Sequence, residues 1–201
     1  METKGAKNKS REKARTRAEA GVQVEAHSIA IPDGVSCTIS ESSIFGECSG
    51  NKLQKKFNFG NLKPSVEGKN ISVRFDKYTK REKTLFGTFE AALKVMFEGL
   101  KSPFVYKLKI CSGHFPMNAS ITGKDFVVKN FLGEVVPRKI SIPEGAKVKI
   151  EGDMVVVESR DKEIAGNTAA KIELLTRISN RDSRIFQDGI YIIQKSNKAV
   201  H

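Results

Sequence analysis

Apolar and polar residues alternate through much of this chain, most cleanly between Phe104 and Pro143. Tyr106, Leu108 and Ile110 fall on one side of that run and Lys107 and Lys109 on the other. Period two of this kind predicts a half-buried strand whose outer face is cationic. Gly123-Lys124 then predicts a two-residue hairpin, leading into a strand with Phe126 and Val128 facing in and Lys129 facing water. Gly133 interrupts the pattern. Val136, Ile140 and Ile142 resume it around Arg138 and Lys139. The expectation is an antiparallel meander with a basic wet face.

Two stretches change to helical period. Leu85, Phe89, Ala92, Met96 and Leu100 form one stripe and predict a helix from about Glu82 to Leu100. A second helix is predicted from Asp161 to about Ile178, with Arg177, Arg181 and Arg184 on a common face if it persists that far and Asp182 and Asp188 diluting the patch. The helices answer one another at an offset of 79 residues, Leu85 with Ile164, Gly87 with Gly166, Leu93 with Ile172 and Met96 with Leu175. A mid-helix glycine costs about 1 kcal/mol against alanine. The shared glycine therefore predicts a close approach of both helices to their sheets.

A second correspondence has a different offset. IPDGV (Ile31 to Val35) recurs as IPEGA (Ile142 to Ala146), 111 residues on, and at that spacing Ile39 matches Ile150, Ile44 matches Val155 and Glu47 matches Glu158. Matches at fixed spacing point to duplication. The predicted fold is α+β: two tandem copies of a small antiparallel β-sheet unit, each packed with one α-helix, over residues 21–101 and 102–196, with a tail at 197–201. DGIYIIQKS (Asp188 to Ser196) predicts a last strand or anchored end, closed by Lys195.

Charge sharpens the picture. The chain carries 35 Lys and Arg against 23 Asp and Glu, a net charge of +12, which attracts polyanions. Residues 1–20 hold seven cations and three glutamates with no large apolar side chain after Met1, which predicts a basic arm, flexible alone, that orders on RNA. The arm's charge adds to a lysine row, Lys107, Lys109, Lys129, Lys147 and Lys149, whose apolar neighbours force it outward. Counterion release makes such a row suited to phosphate contact, and Arg177, Arg181 and Arg184 can fork onto phosphate or stack on bases. No run approaches the roughly 18 apolar residues of a membrane span, so no membrane partner is expected.

Catalytic chemistry finds no footing. Cys37, Cys48 and Cys111, with His27, His114 and His201, lack the spacing of a metal clip or a disulfide framework, and the thiols are expected to be buried and reduced. No nucleophile–base pair is visible, and Gly50 to Asn61 lacks the ending of a phosphate loop. Neither an enzyme, a cofactor nor a small-molecule substrate is expected. His114, beside Phe115-Pro116 in a turn, suits RNA stacking or a structural role.

Three strings carry a resemblance: SGHFPMN (Ser112 to Asn118), NFLGE (Asn130 to Glu134) and DGIYIIQKS. They resemble the second domain and C-terminal end of the large-subunit ribosomal protein L-six family, called L-nine in eukaryotes. The resemblance implies a duplicated α+β architecture and a structural role in the large ribosomal subunit. It also implies binding to ribosomal RNA near the sarcin-ricin loop and the landing area of translational GTPases, with neighbouring ribosomal proteins as partners. Location would be cytoplasmic, with nucleolar assembly in a eukaryote. The RNA-contact candidates are Lys107, Lys109, His114, Lys129, Arg138, Lys139, Arg177, Arg181, Arg184 and Lys195. The competing reading is a free-standing basic nucleic-acid-binding regulator.

Overall fold

The computed structural model describes residues 27–40, 42–75, 79–182, 184–196 and 198–199; the predicted basic arm, residues 1–20, lies outside them. The order is β1 (His27–Ala30), β2 (Val35–Ser40), β3 (Ser43–Cys48), β4 (Asn51–Lys56), β5 (Leu62–Glu67), β6 (Asn70–Phe75) and α1 (Lys80–Lys101). There follow β7 (Phe104–Cys111), β8 (Asn118–Thr122), β9 (Asp125–Lys129), a 3-10 turn (Phe131–Gly133), β10 (Arg138–Ser141), β11 (Ala146–Glu151) and β12 (Met154–Ser159). The chain closes with α2 (Lys162–Leu175), β13 (Gly189–Lys195) and β14 (Lys198–Ala199). Among the described residues the fold is α+β, with antiparallel sheets and two helices.

The sheets run β1-β6-β5, β2-β3-β4, β10-β9-β8 and β11-β12-β7-β13-β14. Taken in chain order, these repeat: β1 to β6 and α1 correspond to β7 to β12 and α2, because β5-β6-β1 matches β11-β12-β7 and β2-β3-β4 matches β8-β9-β10. Strand starts are displaced by roughly 80 residues, Ser43 against Asp125 and Asn70 against Met154, in line with the offset between the helices. The 111-residue correspondence is therefore not the repeat, since it pairs β2 with β11, and the counterpart of β11 is β5. IPDGV and IPEGA coincide for a local reason: each is a turn ending on a glycine in left-handed backbone, Gly34 at φ 83° and Gly145 at φ 92°.

The chain forms two compact units that divide inside α1, between Ala91 and Ala92, with residues 34–36 and 46–54 belonging to the second. In the first unit the core is aromatic. Phe57, Phe59 and Phe89 meet with ring centres 5.4–5.6 Å apart, and His27 stacks on Phe86 at 4.7 Å. Ile71, Val73 and Phe75 supply the buried face of β6. Thr79 starts α1 as a capping box: its hydroxyl and N–H both donate to Glu82, and the Arg81 N–H donates to its oxygen at 3.3 Å.

In the second unit, Tyr106 and Leu108 of β7, Phe126 and Val128 of β9, and Val155 and Val157 of β12 bury one face of each strand. Ala165, Ala169 and Ile172 of α2 pack into that core, the small residues letting the helix sit close. Asp161 caps α2 by accepting from the Glu163 N–H at 2.8 Å. The helix ends at Leu175, three residues sooner than its apolar pattern predicts, so Arg177, Arg181 and Arg184 share no helical face.

The paired glycines behave differently from expectation. A Cβ on Gly87 would meet nothing within 4 Å, and one on Gly166 would meet the Tyr106 hydroxyl at 3.2 Å, a side-chain tip rather than the sheet. The close approach lies instead at Gly99, where a Cβ would collide with the Arg160 carbonyl oxygen and stand 2.9 Å from the Phe104 ring. Backbone cannot yield as a flexible side chain does. Gly99→Ala is expected to destabilise by about 3 kcal/mol or more, whereas Gly87→Ala should gain about 0.5–1 kcal/mol from helix propensity. Denaturant unfolding of the two variants against the parent measures both signs.

Candidate nucleic-acid interface

Strand register decides which lysines meet. β7 lies between β12 and β13, with Lys107 opposite Val156 and Lys109 opposite Met154. β11 continues the sheet, with Lys149 also opposite Val156 and Lys147 opposite Glu158. Since alternate residues share a face, Lys107, Lys109, Lys147 and Lys149 all stand on the side away from the Leu108 core, with Glu151 and Glu158 as the acids of β11 and β12 there. Tyr191 of β13, opposite Lys109, ends the row with an exposed aromatic ring. Lys129 and Lys139 are exposed on a different sheet: Lys139 pairs with Val127, two residues before Lys129, so both belong to the outer side of β8-β9-β10.

The strings SGHFPMN, NFLGE and DGIY, far apart in sequence, converge at one end of this unit. Asp188 is 3% exposed and is the joint. One carboxylate oxygen accepts from the N–H of Gly113 and, at 3.0 Å, from that of His114; the other meets His114 Nδ1 at 2.6 Å. Burial by itself pushes the Asp188 carboxyl up, but the His114 N–H, the His114 ring and the Gly113 N–H together hold it below the ordinary carboxylate value. NFLGE docks on the same loop: Asn130 donates to the Pro116 carbonyl at 3.0 Å, and Gly133 lies against the Phe115 ring.

NFLGE itself is a knot of left-handed backbone. Asn130, Leu132 and Gly133 have φ of 59°, 50° and 79°, and the Phe131 side chain between them is fully buried. Arg138 fastens the knot. Its guanidinium lies 4.3 Å from the centre of the Phe131 ring and grips Glu134 with two bonds, 2.6 and 2.8 Å, while donating to the carbonyls of Leu175 and Arg177. Hydrogen bonding to that guanidinium holds the Glu134 carboxyl below its usual range. The same donors satisfy carbonyls left free where α2 stops.

The other candidates spread around this end. His114 is exposed on one edge and packs on Phe186 with ring centres 4.8 Å apart. Arg181 sets its guanidinium 4.9 Å from the centre of that same ring. Arg184 is exposed and forks onto Asp182 at 2.9–3.3 Å, Arg177 is exposed beyond α2, and Lys195 is exposed at the end of β13. Asp188 is the residue that sequence reasoning misjudged, as a surface charge. The one signal available was its place in a family-matching string beside Gly189. Among the described residues no cluster of His, Cys, Asp and Glu could hold a metal ion, and no helix is long and apolar enough to cross a membrane.

A doubled α+β scaffold with a lysine-bearing sheet face, and a loop knot at its edge, defines a small basic protein built around a cationic surface. Comparison with known proteins makes the class specific. A profile described as ribosomal protein L6 matches residues 115–189. The chain is 36% identical over 172 residues to large ribosomal subunit protein uL6 of Methanococcus vannielii, covering 86% of this chain and 94% of that one. It is 39% identical over 171 residues to uL6 of Methanosarcina mazei, covering 85% and 97%. The chain belongs to the ribosomal protein L6 family, a family of structural ribosomal proteins and not of enzymes.

The Asp188 clamp carries a pH signature. A carboxyl held below its unfolded value of about 3.9 stabilises the fold above that pH and loses the contribution as pH falls through the lower, folded value. Melting curves should show the parent losing stability steeply below about pH 4. Asp188→Asn should melt lower than the parent at neutral pH and show a shallower acid limb.

Proposed function

We propose that this chain is a structural constituent of the large ribosomal subunit, held to ribosomal RNA through the lysine face of its second unit and the loop cluster beside it. Neighbouring ribosomal proteins are its further partners. The observation that carries the reading is the coincidence of two facts: family membership along most of the chain, and four lysines gathered on one sheet face by strand register. Ammonium groups on a rigid sheet neutralise phosphates without reading bases, which suits a folded RNA recognised by shape and backbone.

The finer placement, beside the sarcin-ricin loop and near translational GTPases, rests on the family resemblance. Nucleolar assembly would apply to a eukaryotic source, and the two relatives named above are archaeal. Among the arginines, Arg138 is engaged inside the protein, which leaves Lys107, Lys109, Lys147 and Lys149, with Arg177 and Arg181, as the groups best disposed toward phosphate. Lys129, Lys139 and Lys195 supply a wider positive field.

Sedimentation of cell extract tests the role. The chain should travel with the large subunit and leave it as salt is raised; a light peak at low salt, with a compact sequence preference on isolated nucleic acid, would instead identify a free-standing regulator. Replacing Lys107, Lys109, Lys147 and Lys149 with alanine should leave the melting temperature near that of the parent. It should also flatten the plot of log affinity for ribosomal RNA against log salt by about 3. An unchanged slope would remove the sheet face from the interface.

A further inference from the structure

The lysine row leads into a cleft. β7 ends at Cys111, one step past Lys109 on the same face, and beyond it lies a hollow of about 610 Å³. Its walls are apolar, Tyr191 (42% exposed) and Ile185 (62% exposed). Ser112, His114, Gln187 and Asp188 add polar lining, with the Asp188 carboxylate already taken up by the Gly113 and His114 N–H groups and the His114 ring. Gln187 is loosely held, 3.5 Å from the Arg184 carbonyl, so its amide can turn to a ligand. His114 is fixed, because Asp188 occupies Nδ1 and leaves Nε2 as the free edge.

A flat heteroaromatic ring satisfies each of these features. Tyr191 offers an aromatic face for stacking, Ile185 adds apolar surface to the same hollow, and the Gln187 amide presents a donor and an acceptor together, as the edge of a base requires. The volume lies within the range of ligand-sized clefts. An inorganic phosphate would gain nothing from two exposed apolar walls, and the approach over Lys107 and Lys109 selects a polyanion. Arg181, held over Phe186 on which His114 also packs, adds a cation to the His114 side of the cleft.

We propose that the cleft receives one unpaired nucleobase, turned out of the RNA strand whose phosphates lie along the lysine row. The proposal rests on the RNA-binding reading above and adds to it a single reading position. Duplex RNA hides its base edges, whereas a bulged base can be splayed out and stacked on an aromatic side chain.

The test uses the full chain and two RNA hairpins that differ by one bulged 2-aminopurine. The bulged hairpin should bind roughly tenfold tighter than the paired one, and its emission should change as the base stacks. Tyr191→Ala and, separately, Gln187→Ala should remove the preference and the emission change while leaving affinity for the paired hairpin and its salt slope intact. Tyr191→Phe should retain both. Equal affinities with unaltered emission, while lysine-dependent binding to the paired hairpin persists, would overturn the proposal alone. An emission change that survives in both alanine variants would place the base elsewhere and overturn it too. Failure of both hairpins to bind would take the RNA reading down with it.

Discussion

A carboxylate sealed from water has to find partners for its lone pairs or give up its charge, and Asp188 finds them in two backbone N–H groups and an imidazole lying 74 and 75 residues earlier. This requirement fixes more than one loop. It brings Gly189 opposite Cys111, which sets the register of β13 on β7 and so places Tyr191 opposite Lys109. The cleft, the aromatic end of the lysine row and the seat of Phe186 against His114 all follow from that register. A slip of one residue would turn Tyr191 into the core and Ile190 out of it.

The basic residues divide their work by chemistry. Arg138 and Arg160 point their planar guanidiniums at acceptors within the protein, Arg138 at Glu134 and two carbonyls, Arg160 at the Leu100 carbonyl. Lys109, Lys147 and Lys149 remain exposed on a strand face. A guanidinium has a fixed fork and is weakly hydrated, so it can join elements at modest desolvation cost; an ammonium is strongly hydrated and best left in water until a phosphate arrives. Basic content alone would have merged these two roles.

Local order was legible in the sequence. Alternation around Leu108 located β7, Gly123-Lys124 located a hairpin, and the Leu85 to Leu100 stripe located α1 to within two residues at its start. What was not legible depends on contacts between distant residues. Asp188 reads as a solvated acid until Gly113 and His114 are folded against it. Gly99 reads as a weak point in a helix until the Arg160 carbonyl stands over it. The IPDGV and IPEGA strings misled because a tight turn makes the same local demand wherever it occurs, so identity there reports turn geometry and not ancestry. Arg138 was visible as a charge but not as a clamp, since Glu134 lies one helical turn away on a chain that is not helical there.

β13 is separated from its partner β7 by five strands, a helix and the whole of the Arg177 to Asp188 segment. A nascent chain therefore exposes one bare edge of β7, with N–H and C=O groups unpaired, for as long as it takes to make and dock everything in between. During that interval the cationic surface lacks its aromatic border and the hollow beside it does not exist. A copy terminated before Tyr191 would keep that edge of β7 bare and would never form the hollow, leaving a ribbon open to edge-to-edge pairing with other chains.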